Sequence, residues 1–201
     1  MTRACSILLT SAALSLLGCG DEGGAPGPVE GFDPRLRGIY GIETHTRNDA
    51  ACEAGGESVE ALHSLLAIDA IDYHGRYFLG ALSCADPTMC RSHIAAAQAP
   101  EAGDRIPELE VDFFYLFTTS LSDGSASALA EGATALDDGS CVGRVYSDRL
   151  TRDGERVRIE SRIADVPPFP PSGGECVLPA GSRELPCTAF ELLTGVLSEQ
   201  L

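Results

Sequence analysis

The 201-residue chain contains no lysine; all 14 of its basic residues are arginine. Without lysine there is no phosphate-binding P-loop, no Schiff-base chemistry, no Ser-x-x-Lys acyl transfer and no protein-kinase site. Tryptophan is absent as well. The sequence also lacks Cys-x-x-Cys, Gly-x-Ser-x-Gly, His-Glu-x-x-His and a glycine-rich dinucleotide loop. The familiar redox, hydrolase, zinc-protease and nucleotide signatures are therefore missing, and no catalytic residue or cofactor is assigned. Positive charge is scarce: 30 acidic side chains give a net charge of −16. Such a surface repels phosphate backbones and anionic lipid heads, which excludes nucleic acid as an expected partner.

What is present starts at the N-terminus. Arg3 precedes an uncharged, mostly apolar run over residues 7–17, and Leu16-Leu17-Gly18-Cys19 closes it. One basic residue and a short apolar run read as a secretory signal, since a membrane-spanning helix needs about 20 apolar residues. The tetrapeptide resembles the lipobox of bacterial lipoprotein precursors. That resemblance implies cleavage before Cys19, a lipid on Cys19 and a membrane held through that anchor. Gly20, rather than an aspartate, implies by the same resemblance the outer rather than the inner membrane of the cell envelope. Residues 20–34 are glycine, proline and acid, a flexible tether that spans about 20 Å. The expected organisation is a signal peptide over 1–18, a lipidated cysteine and disordered tether over 19–36, and one domain over 37–201.

Six cysteines remain in the exported chain once Cys5 and Cys19 are set aside: Cys52, Cys84, Cys90, Cys141, Cys176 and Cys187. An even set in an exported protein reads as three disulfides. Cys84 and Cys90 enclose a short loop and are expected to pair, in preference to a zinc site with His93. For the rest, Cys176–Cys187 with Cys52–Cys141 is preferred. Cys52–Cys187 with Cys141–Cys176 is nearly as good if the first and last strands meet.

The remaining pattern is that of strands. Asp123-Gly124, Asp138-Gly139 and Asp153-Gly154 recur at equal spacing, with His74-Gly75 as a fourth turn; Asp-Gly between apolar runs is a strong hairpin signal. Leu109, Val111, Phe113, Tyr115 and Phe117 make one apolar face, and Val157, Ile159 and Ile163 another. If Asp123-Gly124 centres its turn, Phe117 faces Ala130. Strands are expected at 38–46, 64–72, 76–83, 108–121, 126–136, 141–150, 155–164 and 188–197, with a helical turn as the alternative over 59–66. About eight antiparallel strands in sequential order form an up-and-down meander, which closes most naturally into a barrel. Gly38-Ile39-Tyr40 resembles the Gly-x-Trp that opens the first lipocalin strand, so the expected fold is an all-β, lipocalin-like barrel.

Strict up-down order separates the two ends. Short turns and the tether lie at one end. Loops 47–63, 84–107 and 165–187 lie at the other with all six cysteines, and binding residues are expected there. The prolines at 167, 168, 170 and 171 make segment 165–172 a stiff connector. His45, His63 and His93 also fall at the stapled end and are the only candidate metal ligands. Asp69, Asp148 and Arg144 interrupt apolar faces, as ligand anchors, an internal ion pair or rim residues. The function these features favour is a lipid-anchored, non-catalytic binding module for a small apolar ligand or an envelope protein. A structural or adhesive lipoprotein with a filled barrel is the alternative, and a metal-dependent hydrolase ranks third.

Overall fold

The structure is a computed structural model that describes residues 31–60, 62–73, 76–99 and 111–201. Its strands are β1 (Gly38–Asn48), β2 (Glu57–Ser58), β3 (Leu65–Tyr73), β4 (Arg76–Cys84), β5 (Phe114–Phe117), β6 (Thr119–Ser120), β7 (Ala126–Ala135), β8 (Cys141–Asp153), β9 (Arg156–Phe169) and β10 (Ala189–Glu199). They form one antiparallel sheet in the order β5-β4-β3-β1-β10-β9-β8-β7-β6, with β2 alongside β1. The first and last long strands pair, and the sheet curls into a nearly closed barrel, lipocalin-like at a coarse level. The lipobox, Cys19, the turn at His74-Gly75 and residues 100–110 lie outside the described residues.

Closure depends on one strand that changes partner. β5 pairs with β4. At Thr118 the N–H donates to the Ser127 carbonyl at 3.0 Å, and β6 then pairs with β7. The expected strand over 108–121 is therefore broken, and residues 111–113 are not in a strand. Below Thr118 the wall is continuous. Above it β5 and β7 are not neighbours in the sheet, which leaves an open seam.

Alternation of direction puts the chain entry and the turns at 121–125 and 153–156 at one end, here called the base. Cys52, Cys84, Cys90, Cys141, Cys176 and Cys187 all lie at the opposite end, the rim. Disulfides join Cys84–Cys90, Cys52–Cys187 and Cys141–Cys176, with Cα separations of 5.1, 5.6 and 5.6 Å. The preferred pairings Cys176–Cys187 and Cys52–Cys141 are thus corrected. Because β1 lies beside β10, the loop after β1 meets Cys187, two residues before β10. Cys141, at the start of β8, meets instead the loop that follows β9.

The hairpins correct the turn assignment. At 121–125 and 136–140 the loops hold three residues, and Gly124 and Gly139 follow the turn at φ 79° and 82°. The aspartate of each accepts from the N–H and hydroxyl of the next serine, Asp123 from Ser125 and Asp138 from Ser140. The extra residue moves the register by one, so Ser120 faces Ala126 and Phe117 does not face Ala130. The last hairpin has a two-residue loop, Gly154-Glu155, with Gly154 at φ 59°.

β9 runs through Pro167 and Pro168 to Phe169 and is not a free connector there. The prolines sit at a register shift opposite Cys141–Gly143, where a missing N–H breaks no ladder bond. Loop 84–107 contains α1 (Pro87–Ala97), started by the Asp86 carboxylate accepting from the N–H groups of Thr88 and Met89. Its Cys90, Ile94 and Ala97 cover the outer faces of β3 and β4. Val59 to Leu66 is not helical in its described residues.

The base of the barrel is packed solid by Leu36, Tyr40, Leu66, Ile68, Leu79, Phe117, Leu150, Val157, Ile159 and Leu193. Leu36 belongs to a 3-10 turn over Pro34–Leu36 and closes the bottom, although the sequence placed it in the tether. The Tyr40 hydroxyl donates to the Leu36 carbonyl at 2.9 Å, and the Arg152 guanidinium lies 6.0 Å from the Tyr40 ring centre.

Candidate functional site

Interior side chains stack in rows because antiparallel register sets partners at equal height. One row reads Leu193, Ile159, Leu150 and Ala126, all buried and apolar, with His45 as the β1 partner of Leu193. The next row toward the rim reads Arg47, Glu191, Ser161, Asp148 and Ala128, which are successive cross-strand partners on β1, β10, β9, β8 and β7. A polar belt thus lies directly on an apolar floor. His45 enters the interior because a bulge between Ile42 and Thr44 resets the alternation of β1, so that Ile42 and His45 share the inner face.

Glu191 is the hub of the belt. Its Oε1 accepts from the Tyr115 hydroxyl at 2.6 Å and lies 2.9 Å from His45 Nε2, while Oε2 is 3.8 Å from Arg47 Nη1. Burial alone would raise its pKa, but the hydrogen bonds from His45 and Tyr115 and the neighbouring charges outweigh it and hold the carboxyl below its usual range. Burial, with Glu191 beside it, pushes the Tyr115 hydroxyl up, so it serves as a neutral donor. Phe113, Tyr115 and Phe117 descend the inner face of one wall, with centroid spacings of 5.9 and 6.4 Å. The edge of Phe113 meets His45 at 5.1 Å.

Asp148 is placed differently. It is 7% exposed, its Oδ1 accepts no hydrogen bond, and no arginine or histidine pairs with it among the described residues. Burial pushes its pKa up to about 6, with the Glu191 charge adding to the rise. Ser161 is close enough to oppose that rise, yet its hydroxyl, 3% exposed with its residue, makes no hydrogen bond of good geometry. His45 Nδ1 is unpartnered as well. Buried polar atoms without partners cost roughly 1–3 kcal/mol each.

A cavity of about 450 Å³ opens through the seam onto this belt. Tyr73, Phe114 and Leu116 form its lip, and Phe113, Tyr115, Ala130, Tyr146, Asp148, Ser161 and Glu191 line its interior. Its size falls within the range of small-molecule sites, about 300–1,000 Å³. A serine, a histidine and a glutamate are present, but Ser161 Oγ has no hydrogen bond to His45, so they do not form a nucleophile–base pair.

The three rim histidines do not converge, and no group of three or more metal-ligating side chains exists among the described residues. His45 is committed to Glu191. His63 Nδ1 lies 3.2 Å from Ser83 Oγ and 3.5 Å from Asp112 Oδ2. His93 is buried under α1 with Nδ1 3.3 Å from the Ser83 carbonyl. The candidate ligands His45, His63 and His93 are thus held apart, and Cys84 and Cys90 form the expected disulfide. Of the three expected polar anchors, Asp69 pairs with Arg37 on the outer side beneath α1, and Arg144 pairs with Asp165 at 2.8 Å on the surface. Asp148 alone reaches the cavity. Glu191 and Ser161 escaped the sequence reading, although the alternation Val157, Ile159, Ile163 skips Ser161 in plain view.

Comparison with protein-family models, with curated proteins and with solved structures finds no match to this chain.

Proposed function

We propose that this protein is a lipid-anchored, non-catalytic module of the bacterial cell envelope that binds a small molecule through the seam of its barrel. The observation that carries the reading is the cavity of about 450 Å³ whose inner wall holds buried polar groups without partners, Asp148 Oδ1 and Ser161 Oγ. A filled structural barrel would bury aliphatic side chains there, as the base does. An unpaired carboxylate in the wall is instead a recognition group awaiting a partner.

The anchor follows from Leu16-Leu17-Gly18-Cys19 and the tether. A thioether-linked diacylglycerol with an N-acyl chain supplies enough apolar chain for stable attachment, which a single chain does not. The base, where the chain enters, then faces the membrane, and the stapled rim and seam face away from it. Native mass spectrometry of the full-length protein extracted from its native source tests the reading. A small molecule bound in equal proportion supports it, and a protein carrying lipid but no ligand under conditions that preserve non-covalent complexes contradicts it. Labelling with a fatty-acid analogue tests the anchor, and label that persists on Cys19→Ala contradicts it.

A further inference from the structure

We propose, building on the cavity-binding reading, that the ligand is a protonated primary or secondary amine on a small apolar or aromatic body, held by Asp148 and Ser161. Three features of the cavity select this class. Its lining contains two carboxylates and no basic side chain. Glu191 is already engaged by Tyr115, His45 and Arg47, whereas Asp148 has an unpartnered oxygen and no cation beside it among the described residues. The remaining walls are aromatic: Tyr73, Phe113, Phe114 and Tyr146.

An anionic ligand would meet two acids at close range. Asp148 Oδ1 and Ser161 Oγ are already out of reach of water, and a purely apolar ligand would leave them without partners. A quaternary ammonium could stack on the rings but has no N–H for either oxygen. An amine with N–H donors does both, giving Asp148 a charge-assisted hydrogen bond and setting its body against the rings. Ser161, the cross-strand neighbour of Asp148, takes the second N–H.

The test uses the full-length protein in detergent and four probes: 2-phenylethylamine, tryptamine, 2-phenylethanol and N,N,N-trimethyl-2-phenylethylammonium. Isothermal titration at pH 7.5 should show an amine binding at least about tenfold tighter than the alcohol and than the quaternary analogue, the scale of one hydrogen bond to a charged group. Asp148→Asn should remove that preference, and Ser161→Ala should reduce amine affinity several-fold without a change in fold by circular dichroism. If the alcohol binds as well as the amines, or Asp148→Asn leaves amine affinity unchanged, the amine assignment is overturned while the cavity remains a binding site. If no probe binds, the cavity reading falls with it.

Discussion

The two halves of this barrel use the same strands for opposite purposes. Toward the base, the interior row Leu193, Ile159, Leu150 and Ala126 is fully buried, the polar Tyr40 hydroxyl is satisfied by a backbone carbonyl, and the wall is continuous through β6 and β7. One row higher the side chains are Glu191, Ser161 and Asp148, the wall has a seam, and buried polar atoms lack partners. Packing of the base supplies stability that the upper half gives up. The difference also explains where the disulfides lie. All three reinforce the end whose wall is incomplete, and hairpins suffice at the end that is sealed.

The comparison can be broken hardest by removing a staple. Cys52–Cys187 spans 135 residues, so a Cys52→Ser, Cys187→Ser protein should lose up to about 5 kcal/mol of stability on the chain-entropy estimate. The six-residue separation of Cys84–Cys90 puts its loss at about 2 kcal/mol. Urea unfolding of the two double variants measures both, and equal losses would contradict the ordering. Truncating the floor comes next. Leu150→Ala should cost about 3 kcal/mol, because a fully buried leucine leaves a cavity that the rigid sheet does not fill.

Asp148→Asn should have the opposite sign. An acid whose folded pKa is raised binds its proton more tightly in the folded state, so stability falls as pH rises from the ordinary aspartate value of 3.8 to about 6. Removing the charge should therefore stabilise the unliganded protein by up to about 3 kcal/mol at pH 7 and flatten that part of the pH profile. A loss of stability on this substitution would show that Asp148 is satisfied by a partner inside the protein. The smallest effect belongs to the base hairpin. Gly154→Ala, at φ 59°, should cost about 1 kcal/mol in thermal unfolding and leave probe affinity unchanged, since the turn lies far from the seam.

Much of the fold could be read from alternation alone. The strand expected at 76–83 ends at Cys84, and the one expected at 141–150 continues to Asp153, filling the interval between the Asp-Gly pairs at 138–139 and 153–154. What alternation hides is any break in its own period. The bulge in β1 that turns His45 inward leaves no mark in the sequence, and neither does the change of partner at Thr118 that opens the seam. α1 carries a start signal in Asp86-Pro87, a capping residue followed by proline, ahead of a run of alanines, although the Cys84–Cys90 pair that overlaps it is equally the mark of a short stapled loop. The candidate site was half visible. Asp148 and the Phe113–Tyr115 face stand out as an acid among apolar residues and an aromatic stripe. Glu191 needed the register of β10 against β9, which only the folded sheet supplies.

The measurement closest to the central claim follows alanine methyl groups by NMR during titration with 2-phenylethylamine. Ala130 lines the cavity, and Ala126, on the same face of the same strand, is sealed in the floor. An open upper half over a closed base predicts a saturable shift of the Ala130 methyl with Ala126 unmoved. No shift at Ala130, or equal shifts at both positions, would contradict the division of the barrel into a binding half and a packed half.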